Sequence, residues 1–136
     1  MKRVVFDFHG VIYDPKRGEV DSEVFKIIKS LYKQNIPLYI FTNSSLKILE
    51  RNDIQNPFLK YFKEVIHKYS KPYPESFKEL FNTLECGASE IILVDDDVNV
   101  IEQAQEYGIE TIRYSKVVDL GTELEVFLGI SLDSNN

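Results

Sequence analysis

The chain has 136 residues, of which 43% are hydrophobic and 28% charged, and carries a formal net charge of −6. That size and balance suit one folded domain, residues 1–136, and exclude a disordered chain. The acidic excess excludes the broad basic surface that binds nucleic-acid backbones; Lys60, Lys63 and Lys68 read as a solvated face, with Lys71 set apart below.

The first residues, MKRVVFDFHG, carry basic groups, but their apolar run breaks at Asp7, so they do not form a signal peptide. No apolar segment approaches bilayer-spanning length, and the expectation is a cytoplasmic protein with no membrane association. Apolar runs at 4–8, 37–41, 65–66, 91–94 and 111–114 predict strands, the third being the shortest. Between them Val24, Ile27, Ile28 and Leu31 recur at i, i+3, i+4, i+7, as one helix face requires. Phe77, Leu80, Phe81 and Leu84 repeat that spacing, and Leu120, Leu124, Phe127 and Leu128 give a weaker version before a polar tail, SLDSNN, expected to fray. Strands alternating with helices predict an α/β fold: a doubly wound, mostly parallel sheet with helices on both faces. Cys86, in LECGAS, is the lone cysteine and reads as a small, partly buried residue.

Ligands of such sheets bind beyond the carboxyl ends of the strands. Asp7 and His9 stand there after the first run, Thr42, Asn43 and Ser44 after the second, and Asp95, Asp96 and Asp97 after the fourth. Capping of a helix from Val98 accounts for Asp97 and leaves Asp95 and Asp96 without a task. Three carboxylates converging at one edge repel unless a cation sits among them, and hard oxygen ligands suit Mg²⁺. Thr42 to Ser44, before a helix at 45–51, offers a hydroxyl and main-chain N–H groups to an anion, although such residues are also ordinary caps. Lys71, in SKPYPESF, sits on a stiff proline-rich lead into a helix, where an ammonium can neutralise developing charge. On its own it would read as one more surface lysine.

The segments DFHGVIYD, FTNSS, KPYPESF and LVDDDVNVIEQAQEYG resemble, in order and spacing, the four motifs of the haloacid dehalogenase superfamily. The resemblance spans nearly the whole chain and implies the same doubly wound fold. It implies that Asp7 is a nucleophile forming an aspartyl-phosphate, that Thr42 with Asn43 holds the phosphoryl group, and that Lys71 stabilises both. It further implies that Asp7, Asp95, Asp96 and the carbonyl of His9 position Mg²⁺. Family phosphatases typically carry a second aspartate where this chain has His9. Its carbonyl can still serve the metal, and its ring can still move protons near neutral pH.

These implications give a Mg²⁺-dependent phosphate-monoester hydrolase with His9 as acid–base group. The alternative is a weak or inactive relative that binds Mg²⁺ and a phosphorylated ligand in a regulatory role. Dehalogenation fits less well, because it would leave the Asp95–Asp96 pair without use. The intervals between motifs are too short for a cap domain, while DPKRGEV, residues 14–20, suits a small hairpin flap. An uncapped site in an acidic chain favours a small phosphorylated substrate over a macromolecule, or a homo-oligomer whose neighbouring subunit covers the site. His67 reads as a surface histidine, and Tyr13 and Tyr73 as aromatic packing beside the motifs.

Overall fold

In chain order the elements are β1 (Arg3–Phe6), β2 (Tyr13–Asp14), β3 (Glu19–Val20), α1 (Ser22–Lys33), β4 (Leu38–Phe41), α2 (Leu46–Gln55), β5 (Glu64–Ile66), α3 (Pro74–Leu84), β6 (Ile91–Asp95), α4 (Val98–Glu106), β7 (Glu110–Arg113) and α5 (Leu120–Leu128). The structure is a computed structural model describing residues 1–132; of the tail SLDSNN expected to fray, Ser131 and Leu132 are hydrogen-bonded to Gln34 and Glu125, and the rest lies outside the described residues.

Five strands form one parallel sheet in the order β5-β4-β1-β6-β7, which puts β1 at its centre. Apolar alternation is missing from β4 and β6 because every residue of both strands is buried. Val4, Phe6, Leu38, Ile40, Ile92 and Val94 pack on one face with Ile28 and Leu31 of α1, Leu49 of α2 and Leu124 of α5. Val5, Phe41 and Leu93 pack on the other with Phe77 and Leu80 of α3 and Ala104 of α4. This is the doubly wound architecture that the alternation of elements implied.

Local chemistry sets the boundaries. Asp21 caps α1 by accepting from the N–H groups of Glu23 (2.9 Å) and Val24 (3.1 Å), and Asp97 caps α4 by accepting from Asn99 (2.8 Å). Pro74 opens α3, where its missing N–H costs nothing. The first strand stops at Phe6, two residues before the apolar run does. The chain leaves the sheet at Asp7, and Phe8 is buried by stacking on Phe58 (5.5 Å) and Tyr13 (5.4 Å). Helix α2 runs past the expected end at 51 to Gln55 with Leu49 as its buried residue, a pattern too thin to show its length.

Strands β2 and β3 form the antiparallel hairpin expected at DPKRGEV. Its turn is held by Asp14, whose Oδ1 accepts from the N–H of Lys16 (3.0 Å). Between β1 and β4 lie the hairpin and α1, and between β4 and α3 lie α2, a short 3₁₀ turn (Leu59–Tyr61) and β5. No cap domain therefore interrupts the core among the described residues. No helix of the described residues is long and apolar enough to cross a membrane.

Candidate active site

The sheet brings the strand-end residues together at one edge. The side chain of Lys71 crosses beneath them, 3% exposed, and its Nζ donates to Asp7 Oδ1 (2.9 Å), Asp95 Oδ2 (2.7 Å) and the carbonyl of Phe41 (2.7 Å). Asp7 Oδ1 also accepts from the N–H of Phe8 (2.9 Å), and Asp95 Oδ1 accepts from that of Asp97 (2.9 Å). Asp96 is exposed, and one carboxylate oxygen from each of Asp7, Asp95 and Asp96 lies within 4.8 Å of the others. Gly10 closes this corner. Its φ is +94°, and a Cβ there would come 2.3 Å from Asp96 Oδ2, so no larger residue leaves that carboxylate in place.

Charge in the site is unbalanced. Burial pushes the Asp7 carboxyl up to about 8, against the opposing pull of Lys71. Burial likewise raises Asp95, again with Lys71 opposing. Burial works against the charged ammonium of Lys71, but Asp7 and Asp95 outweigh it and raise its pKa. One ammonium cannot offset two buried carboxylates, so the corner holds either a proton or a second cation.

Thr42 is buried one residue beyond β4, its N–H donating to Ile66 (3.0 Å) and its Oγ1 accepting from the N–H of Ser44 (2.9 Å). That geometry leaves the hydroxyl hydrogen to donate. Asn43 was expected to assist Thr42 on the phosphoryl group, yet its amide is engaged elsewhere. Its Oδ1 accepts from the N–H of Lys71 (2.7 Å) and its Nδ2 donates to the carbonyl of Lys71 (3.3 Å), which clamps the main chain of the lysine. One Nδ2 hydrogen remains for a ligand.

His9 is exposed at the mouth, its ring 5.6 Å from that of Tyr13, and its carbonyl accepts no hydrogen bond among the described residues. His67 is also exposed and lines a separate groove with Leu46, Phe62 and Lys63. Tyr73 is 64% exposed beside Lys71, whereas Tyr13 packs on Phe8. Two contributors leave no signal in the sequence. The demand on Gly10 depends on where Asp96 arrives, and Lys116 ties down the hairpin through Asp14 (3.0 Å) and Asp21 (2.8 Å), residues far away in the chain.

A buried lysine joining two strand-end aspartates, with a third carboxylate alongside, on a doubly wound sheet defines a class of hydrolase. The model of the haloacid dehalogenase-like hydrolases matches residues 19–114, and the chain belongs to that family. The matched stretch contains Thr42, Lys71, Asp95 and Asp96; Asp7 and His9 precede it. Solved structures share the fold. A predicted HAD-like hydrolase from Porphyromonas gingivalis is 15% identical, with 94% of this chain and 98% of that one covered and a TM-score of 0.78. A HAD family enzyme from Bacteroides thetaiotaomicron, solved with magnesium and inorganic phosphate, is 16% identical over 90% and 98% of the two chains, TM-score 0.74. The L-2-haloacid dehalogenase of Xanthobacter autotrophicus, with chloropropionic acid covalently bound, is 14% identical over 95% and 83%, TM-score 0.74. No curated protein matches the sequence significantly.

Proposed function

We propose that this hydrolase removes phosphate from small phosphate monoesters with Mg²⁺ as cofactor, through a phosphoryl group carried on Asp7. The observation that carries the reading is the bond from Lys71 Nζ to Asp7 Oδ1 (2.9 Å), with the oxygens of Asp95 and Asp96 gathered within 4.8 Å. The donor set fits Mg²⁺: hard oxygens from Asp7, Asp95 and Asp96, an unengaged carbonyl at His9, and surplus negative charge awaiting a cation. When bound, Mg²⁺ would draw in phosphate oxygens and offset their charge. That a structural relative was solved with magnesium and phosphate supports the same ligand class here.

The chain's own residues account for the remaining steps. Lys71 fixes Asp7 and screens it from the incoming anion, and Asn43 fixes Lys71. The Thr42 hydroxyl donates to a phosphoryl oxygen. A carboxylate oxygen of Asp7 bonds to phosphorus as the ester P–O bond breaks, and His9 gives a proton to the departing alcohol. Water then attacks phosphorus, His9 takes its proton, and the bond to Asp7 breaks to release phosphate.

A second reading, binding of Mg²⁺ and a phosphorylated ligand without turnover, is favoured by one observation. The His9 ring leans on Tyr13 and has no hydrogen bond among the described residues to aim it. Release of phosphate from a panel of monoesters, measured with and without Mg²⁺, separates the two. Turnover that requires Mg²⁺ and vanishes in Asp7→Asn is expected; turnover surviving in Asp7→Asn removes the covalent route. Saturable Mg²⁺ binding with no phosphate released favours the binding protein. His9→Asp should alter the rate for esters with poor leaving groups, and unaltered rates for every ester would remove proton transfer from His9.

A further inference from the structure

A groove of ≈ 630 Å³ opens from the carboxylate corner and is lined by Gly10, Asp96, Arg113, Ser115 and Lys116 among others. Arg113 ends β7 and pairs in register with Asp95, one strand spacing (~4.8 Å) from β6 and two from β1, at whose end Asp7 stands. The charges in this groove differ in how far they are satisfied. Asp96 belongs to the carboxylate cluster, and the ammonium of Lys116 is held by Asp14 (3.0 Å) and Asp21 (2.8 Å). The side chain of Arg113 has neither an ion pair nor a hydrogen bond among the described residues, although the chain has 22 acidic residues to 16 basic ones. An exposed arginine is ordinary by itself; an unpaired one lining the groove that leads to the reacting centre is not.

We infer that Arg113 determines specificity by binding a second anionic group, a carboxylate or a phosphate, on the ester whose phosphoryl group goes to Asp7. The planar guanidinium matches either anion with two parallel N–H donors. Such an ester would span from Asp7, past Gly10 and Asp96, to the end of β7. The inference rests on the phosphatase reading above and names the substrate class for that site: phosphate monoesters with a second anion a few bonds from the first.

The test compares kcat/KM for glycerol 3-phosphate, 3-phosphoglycerate and glycerol 1,3-bisphosphate in wild type, Arg113→Gln and Arg113→Lys. Wild type is expected to prefer one of the two doubly anionic esters by about tenfold or more, mainly through KM. The preference should collapse towards one in Arg113→Gln and return in part in Arg113→Lys. Which ester is preferred tells carboxylate from phosphate. No preference in wild type, or a preference that survives in Arg113→Gln, overturns the inference while leaving the phosphatase reading standing. If none of the three esters, and none of the monoester panel above, releases phosphate, the phosphatase reading fails. Arg113 is then judged by calorimetric binding of 3-phosphoglycerate in the presence of Mg²⁺: weaker binding by Arg113→Gln supports its role, and equal binding overturns it.

Discussion

At Asp7 a single carboxyl group records the tension in the site. Its folded value of about 8 lies above its ordinary 3.8, so in metal-free protein the stability it contributes is complete below 3.8 and is lost as pH rises through about 8. The Mg²⁺ proposed for this corner would compete with that proton. Calorimetry at stepped pH should show Mg²⁺ affinity climbing up to about pH 8 and levelling above it, with the climb much reduced in Asp7→Asn. An affinity flat from pH 5 to 9 would contradict the burial argument. Lys71→Met leaves two buried carboxylates without their ammonium and should cost about 3–5 kcal/mol by urea unfolding; an unchanged midpoint would show that the lysine contributes nothing there. The carboxylates that meet at the candidate site were largely legible, because core packing alone gives no reason for a carboxylate at the end of an apolar run. The clamp of Asn43 on Lys71 was not, since it forms across 28 residues where two loops meet and neither segment alone hints at it.

The hairpin of β2 and β3 is the element nearest the site with the least of its own to hold it. Each strand has two residues, too few for independent stability. Its anchor is Lys116, arriving from beyond β7. The hydrogen bond from Lys116 holds Asp14 below its ordinary 3.8, so this contribution is present above 3.8 and lost as pH falls below it. The bonds from Asp21 and Asp14 hold Lys116 above its ordinary 10.5, so its contribution is present below 10.5 and lost at higher pH. In Lys116→Met at neutral pH, amide exchange at Gly18 and Asp21, whose N–H groups bond to Asp14 (2.8 Å) and Ile12 (2.7 Å), should quicken severalfold. Exchange at the wild-type rate would show that the hairpin stands without the latch. Turn chemistry made this hairpin legible from DPKRGEV; its tether, set by tertiary packing, left no local mark.

Across the whole molecule, β4 and β6 are covered on both faces, and the sequence displayed this as apolar runs without alternation; the strand order β5-β4-β1-β6-β7 left no such mark. Strand ends were less legible, as at Phe8, because burial against Phe58 and pairing in a ladder leave the same apolar signal. Leu93 is fully buried on the face covered by α3 and α4, and Leu93→Ala should cost about 2–5 kcal/mol in urea or thermal unfolding. A loss well under that range would mean the core collapses around the gap. Ligand linkage acts at the same scale: Mg²⁺ at a hundred times its Kd should add about 2.7 kcal/mol to the folded state. A melting temperature indifferent to Mg²⁺ would leave the carboxylate corner without its ion.

The ammonium of Lys71 touches the ends of β1, β4 and β6 at once, through Asp7, Phe41 and Asp95. It is therefore a keystone of the sheet as well as the partner of the nucleophile proposed above. Variation that tunes chemistry at this crest, whether by natural drift or in a laboratory evolution campaign, acts on the same atom that keeps three strands abreast. On the proposed mechanism, rigidity and reactivity at this position are inherited as one trait.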